Sequence, residues 1–348
     1  MQRRANYNTL IRLLRIMAEA ALTTYDLGSV RLALLSHHRN TVFRVDTQPY
    51  GALNANSQSQ EEGRYILRFC DMQGPTIEMI RSEVQWLLAI REETDLCVPE
   101  PVPARNGEYV VDVQMEGIDM ICRCLLLRWV PGRTVDSGLS PTLLERVGML
   151  QARLHQHAQT FVPSADFVRP VSNWQQFLTS SSDMIAHINQ RHKGLLNAVD
   201  KDLLARAAMY AWEEIATLAR SPESYGLVHG DLQQAHYVFQ RGNVHALGFD
   251  RCSYDYFLSD SAVTLSGLAS REDELTLRKA YWQGYERILT PPAHSEMKQD
   301  AFFVAHILRH LSDLVHFTNF NDDKNEIAFY FQSRKALLQQ FVTACVQR

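Results

Sequence analysis

At 348 residues, 46% of them hydrophobic, the chain is long enough to build two lobes around a sizeable core. Its 35 Lys and Arg against 39 Asp and Glu give a formal net charge of -4, so no global basic field supports nucleic-acid or anionic-membrane binding. Six cysteines (Cys70, Cys97, Cys122, Cys124, Cys252 and Cys345) form neither a C-x-x-C pair nor a zinc-site spacing, and they read as reduced thiols of a cytoplasmic protein.

The first segment sets Arg3, Arg4, Arg12 and Arg15 beside Leu10, Ile11, Leu14 and Met17, a superficial likeness to a signal peptide. Arg12, Arg15 and Glu19 interrupt the apolar stretch, and the spacing Leu10, Leu14, Met17, Ala21 is that of an amphipathic helix. No later run reaches the roughly 18 uninterrupted apolar residues that a membrane span needs, so a soluble protein is expected. Val30 to Leu35 and Thr41 to Val45 are β-branched and apolar around the polar turn Ser36-His37-His38-Arg39-Asn40, and they read as a hairpin. Residues 51–63 are polar and poor in large apolar groups, the composition of a mobile loop.

A third strand, Tyr65 to Phe69, leads into a helix from about Thr76 to Glu93, and strands near Tyr109 to Val113 and Ile121 to Val130 complete an antiparallel sheet. Pro131-Gly132 ends the last strand, because Pro cannot continue a ladder and Gly permits a sharp change of direction. Helical spacing then recurs in Leu143 to His157, Trp174 to His192, Leu203 to Ala219, Glu272 to Ile288, Asp300 to Phe317 and Glu326 to Val346. The expected class is α+β: residues 1–130 form a lobe of leading helix and β-sheet, and residues 131–348 a mostly helical lobe.

Within the helical half stands LVHGDLQQAHYVF, Leu227 to Phe239, followed by LGFDRCSYDYFLSD, Leu247 to Asp260. A His-Gly-Asp turn after an apolar run places a carboxylate, that of Asp231, where it can accept a proton from a substrate hydroxyl; as a plain turn residue the same Asp would only cap the turn. No G-x-S-x-G, Walker loop or G-x-G-x-x-G occurs, which removes hydrolase, P-loop and dinucleotide readings.

On these strings the chain resembles the aminoglycoside phosphotransferase family of kinase-like enzymes, most closely its bacterial branch of homoserine-kinase-like and stress-response kinases, from about Asn40 to Phe341. The resemblance implies a bilobal protein-kinase-like fold, ATP and Mg2+ as cofactors, and a small-molecule hydroxyl as acceptor. It also implies that His229 shapes the loop by hydrogen bonding. In the family an Asn five residues after the Asp and the Asp of a later Ile-Asp-Phe bind the metal; here those positions hold His236 and Gly248.

Arg68 occupies the strand position where kinases place a cation for the nucleotide phosphates, and Glu83 on the following helix is spaced to pair with it; by themselves the two would read as surface charges. The turn from His37 to Thr41, which includes Asn40, stands where a Gly-rich loop would cover the phosphates. It holds no Gly, so its N–H groups approach a phosphate or its residues are solvated. LLLRWVPGR, Leu125 to Arg133, resembles the family's strand and hinge, with Leu127, Trp129 and Val130 against the adenine or, for Trp129, in the core. Backbone recognition leaves no signature that separates ATP from GTP.

His236 can ligate a metal through imidazole, although magnesium prefers oxygen. If residues 248 and 250 lie in a strand they share a face about 6.6 Å apart, which makes Asp250 a substitute ligand. His155 reads as packing near the catalytic loop, and Asp260 as an acceptor of its backbone hydrogen bonds. His306, His310 and Asp313 have ligand-like spacing, but Ile307 stands where a zinc protease has its Glu, so helix packing is the reading. Tyr254, Asp255, Tyr256, Trp282 and Tyr285 line an acceptor pocket or sit in the core. Two functions follow: a kinase using Asp231 as base, or a kinase-like binding module that has lost transfer with its metal ligands.

Overall fold

The computed structural model describes residues 2–37, 40–47, 63–70, 74–114, 121–135, 138–269, 271–291, 295–316 and 324–346. The loop reading for residues 51–62 and the turn residues His38 and Arg39 lie outside these, as do the side chains of Arg3, Arg4, Asp313 and Cys345. The chain divides into two compact units, one of residues 1–135, 161–169 and 237–250, the other of residues 136–160, 170–236 and 251–348.

In the first unit, helix α1 (Gln2–Leu22) precedes the strands β1 (Val30–His37), β2 (Thr41–Thr47) and β3 (Arg64–Phe69). Helix α2 (Ile77–Glu93) follows, then β4 (Pro101–Val102), β5 (Val110–Gln114) and β6 (Ile121–Arg128). The sheet runs β1-β2-β3-β6-β4 with β5 also on β6, and every pairing is antiparallel. Leu14, Met17, Ala18 and Ala21 of α1 pack with Phe43, Val45, Leu67, Phe69 and Leu126 of the sheet. The buried stripe of α1 starts at Leu14, because Leu10 is exposed. Side chains alternate along a strand, so Arg68 lies on the sheet face opposite Leu67 and Phe69. Helix α2 begins where Thr76 accepts the Met79 N–H, and carries Arg91 in its last turn. Strands β8 (Tyr237–Gln240) and β9 (Asn243–Ala246) form a hairpin in the same unit.

The second unit contains α3 (Pro141–Thr160), α4 (Trp174–Thr179), α5 (Ser181–Arg191), α6 (Ala198–Ala216), α7 (Phe257–Ser266), α8 (Glu274–Glu286), α9 (Ser295–His316) and α10 (Lys324–Val346). The helix expected over Trp174 to His192 is two, α4 and α5, because the chain turns at Ser180, whose N–H bonds the carbonyls of Gln176 and Leu178. Helix α7 lacks an amphipathic signature because nearly every side chain on it is buried, from Phe257 to Leu265. The antiparallel ribbon of β7 (Tyr225–Val228) and β10 (Ser253–Tyr256) sets Val228 opposite Ser253, so the His-Gly-Asp turn leaves one strand beside the entry to its partner. No helix among the described residues is long and apolar enough to cross a membrane.

Candidate active site

The first unit gathers a charged cluster beneath β3. Arg68 makes a forked pair with Glu83, Nη1 to Oε1 at 2.8 Å and Nη2 to Oε2 at 2.7 Å, with both side chains buried. Burial works against the Arg68 charge, but Glu83 holds the guanidinium pKa above its ordinary value. Nη1 also lies 3.8 Å from Asp250 Oδ1, and Asn40 Nδ2 donates to Asp250 Oδ2 at 3.0 Å. Asn40 therefore enters the cluster through its side chain.

Asp250 does not lie in a strand, so the shared-face argument for residues 248 and 250 fails. Phe249–Arg251 form a 3-10 turn, and Gly248 before it has φ +74°, a left-handed conformation that side-chain-bearing residues disfavour. Phe249 anchors the turn edge-on against Trp86 of α2, ring centroids 5.5 Å apart. The conformation of this turn, rather than the pitch of a strand, directs the carboxylate to Arg68 and Asn40.

Leu127 and Val130 are buried, and Leu127 is paired within the sheet to Ile66 and Pro101. Trp129 is half-buried, with its N–H on the Arg64 carbonyl at 3.0 Å and its ring 5.3 Å from the Arg64 guanidinium. In the turn ahead of β2, His37 Nδ1 and Thr41 Oγ1 are 2.8 Å apart.

In the second unit the catalytic-loop candidate is built on Asp260. Its Oδ1 accepts the Gly230 N–H at 2.8 Å, and its Oδ2 accepts the His229 N–H at 3.2 Å. His155 Nε2 reaches the same Oδ2 at 3.0 Å, while Tyr285 OH lies 2.8 Å from His155 Nδ1. Phe257 stacks on the His155 ring at 4.3 Å. Burial pushes the Asp260 pKa up, yet hydrogen bonding and charge from His155, with the charge of His229, hold it below the usual carboxylate range. The backbone role read for Asp260 is thus realised, and His155 is a buried packing residue beside it.

Gly230 has φ +77°, and a Cβ there would collide with the Arg251 carbonyl, so no other residue fits without moving the chain at Arg251. His229 Nδ1 accepts the Asp231 N–H at 3.2 Å, which fixes the loop behind the Asp231 carboxylate. That carboxylate is 15% exposed, with Gln233 Nε2 on Oδ1 at 3.2 Å and Arg251 Nη1 at 4.0 Å from Oδ2. His236 Nδ1 lies 2.6 Å from the Asp231 carbonyl and 3.4 Å from Oδ2.

The donor set fits a divalent cation through Asp250 alone among the expected positions. Magnesium takes one or two protein carboxylates together with phosphate oxygens and waters, and Asp250 offers a carboxylate beside the Arg68 cation. His236 turns Nδ1 toward its own loop and offers at most an imidazole nitrogen, and Gly248 offers no side chain. Among the described residues no group of three or more His, Cys, Asp or Glu is arranged to hold a metal.

Several acceptor candidates belong to the core. Asp255 is buried and accepts from Trp174 Nε1, the Tyr256 N–H and Ser259 Oγ. Tyr256 OH bonds the Leu218 carbonyl, Trp282 Nε1 bonds Gln299, and Tyr285 serves His155. Tyr254 is half-buried in the β10 ribbon. His306 is half-buried between Ser259 and the Trp174 ring, and His310 supplies its carbonyl to Tyr330 OH; both are packing residues. Arg169 and Arg251 were not singled out from sequence, because their partners lie 81 and 20 residues away.

The model of the APH phosphotransferase enzyme family matches residues 46–299. The chain belongs to that family. Amicoumacin kinase of Bacillus subtilis (strain 168) is 24% identical over 294 residues, which is 78% of this chain and 77% of the relative. Among solved structures, the microcompartment-associated aminopropanol kinase superposes with a TM-score of 0.77 at 24% identity, covering 94% of this chain and 98% of that one. Amicoumacin kinase hAmiN in complex with AMP-PNP, Ca2+ and Ami gives 0.70 at 20% identity, covering 94% and 93%. The fold is the α+β protein-kinase-like fold of these phosphotransferases.

Proposed function

We propose that the protein transfers the γ-phosphoryl group of ATP to a hydroxyl of a small molecule in the cytoplasm. The observation that carries the reading is the Asp231 loop: its main chain is tied to a buried carboxylate, leaving the Asp231 side chain partly open to a substrate. Asp231 accepts the hydroxyl proton as the acceptor oxygen attacks the γ-phosphorus, and the bond from that phosphorus to the bridging oxygen breaks to release ADP. Arg68, whose fork is held by Glu83, keeps its positive charge beside Asp250 and supplies a cation to the phosphate side of the site. Asp250 would hold a divalent cation, which when bound would supply charge neutralisation to the transferring phosphate.

The phosphoryl acceptors to try first are amino alcohols, because the relatives include an aminopropanol kinase and an amicoumacin kinase. Incubation with ATP, Mg2+ and an amino-alcohol panel, followed by phosphorus NMR, should reveal a phosphate monoester whose formation slows by about 10²-fold or more in Asp231→Asn. Product formed equally well by that variant would refute the assignment. A second reading, a nucleotide-binding module without turnover, is favoured by His236 and Gly248 at the expected ligand positions. ADP and monoester accumulating over many turnovers would exclude it.

A further inference from the structure

Residues 161–169 belong to the first unit and run along α2. Ser82 Oγ accepts the Val168 N–H at 2.7 Å, and Ser164 Oγ donates to Gln85 Oε1 at 2.8 Å. At the end of this segment Arg169, 6% exposed, donates from Nη1 to the Met79 carbonyl at 3.0 Å and from Nη2 to the Asp250 carbonyl at 2.7 Å. Both are charged donors on main-chain acceptors, with little water at hand to replace a lost bond.

The two carbonyls belong to the elements that share Arg68. Met79 lies in the first turn of α2, which carries Glu83 one helical turn later; Glu83 holds Arg68, and Arg68 faces the Asp250 side chain. The contacts therefore close a ring, from Arg169 through α2, Glu83, Arg68 and Asp250 back to Arg169. We propose that Arg169 is a positioning residue for the phosphate-side cluster: it fixes the spacing between α2 and the Asp250 turn, so that the Asp250 carboxylate stays beside Arg68 and Asn40. Arginine suits the task because its planar fork spans two acceptors at once, which a lysine ammonium on one flexible stem does not. Phe249 ties the turn to Trp86 of α2 by ring packing alone, and the Arg169 fork adds a polar tie at the Asp250 carbonyl, two residues after the conformationally permissive Gly248.

The inference rests on the nucleotide reading of the cluster, and its test keeps the two apart. ATP is titrated calorimetrically into the full-length protein with Mg2+ and with EDTA, for wild type, Arg169→Ala, Arg169→Lys, Ser82→Ala, Asp250→Asn and the Arg169→Ala/Asp250→Asn pair. Arg169→Ala should lose about tenfold in affinity with Mg2+, the size of one charge-assisted hydrogen bond, and change little in EDTA. Arg169→Lys should recover part of that loss, and Arg169→Ala should add nothing in the Asp250→Asn background. Ser82→Ala, which removes a staple of the same segment without touching Asp250, should keep the full Mg2+ response. If Ser82→Ala loses as much as Arg169→Ala, or if the two Arg169 variants bind like wild type, or if Arg169→Ala acts equally without the Asp250 carboxylate, the positioning role is wrong. Should Arg169→Ala fail to fold, the Lys variant carries the comparison. Wild type that binds no ATP under either condition overturns the nucleotide reading and the proposal with it.

Discussion

Asp231 sits in a loop whose main-chain N–H groups, at His229 and Gly230, are tied to the buried carboxylate of Asp260, whereas Asp250 sits on a turn whose carbonyl is held by Arg169 and whose own oxygens face Asn40 and Arg68. The first carboxylate is aimed by a loop held through its N–H groups, the second by a turn held at its carbonyl and by the two partners of its own oxygens. A group aimed through the backbone survives changes in the residues around it, so a His at position 236 leaves the Asp231 loop intact. One aimed through its oxygens depends on each partner, and at Asp250 a single substitution is expected to reach the ligand directly.

The comparison can be broken first at Asp231. Asp231→Asn should lower phosphoryl transfer by roughly 10²–10⁴-fold while the melting temperature hardly moves, because nothing that holds the loop is removed. A folded variant with wild-type turnover would mean that another group takes the proton. Asp260→Ala attacks the loop from behind. It leaves the His229 and Gly230 N–H groups and His155 without their shared acceptor, and a loss of about 3–5 kcal/mol in denaturant unfolding is expected. A loss below about 1 kcal/mol would show that water or a neighbour takes over.

In the other unit, Glu83→Gln keeps the shape but removes the charge opposite Arg68, and should cost about 2 kcal/mol together with weaker ATP binding. Unchanged binding would detach the Arg68–Glu83 pair from the nucleotide. The smallest effect is a pH slope at His306. Burial first, then the Arg309 and His310 charges, hold its pKa well below the ordinary value, opposed by the Ser259 carbonyl and Asp260. The folded state thus keeps the ring neutral while the unfolded chain protonates it, so stability present above about pH 6.5 is lost as the pH falls, by up to about 1.4 kcal/mol per unit. Asp255, in the same cluster, is pushed up by burial and acts in the opposite sense, gaining stability on acidification. Melting curves between pH 7 and 5.5 should be flatter for His306→Asn than for wild type; equal slopes would place the titration elsewhere.

Much of the fold was legible because the periodicities are local. The β1–β2 hairpin, β3, α2 and the long helices each carry their own pattern, whereas Arg68 and Glu83, fifteen residues apart, read as a pair only through the kinase-family resemblance and by themselves read as surface charges. The two-residue β4 is too short to show a period, and α7, buried on nearly every side, shows no stripe. In the site, the roles of Asp260 and His155 were readable from the family strings, but the Tyr285 contact joins residues 130 apart and has no local trace. Strand pitch gives Asp250 the wrong local geometry, because a left-handed glycine and a 3-10 turn set its direction. Asp255, Tyr256, Trp282 and Tyr285 were ambiguous because aromatic and acidic residues beside a motif look alike whether they line a pocket or fill a core.

The central claim is that Asp250 is the carboxylate that meets the divalent cation where Gly248 offers none. Mn2+ can stand in for Mg2+, and electron paramagnetic resonance of free Mn2+ in the presence of ATP reads its binding directly. Wild type should draw Mn2+ more tightly than ATP does alone, and Asp250→Asn should fall back to the ATP level while still binding the nucleotide. Equal Mn2+ uptake by wild type and Asp250→Asn would contradict the account.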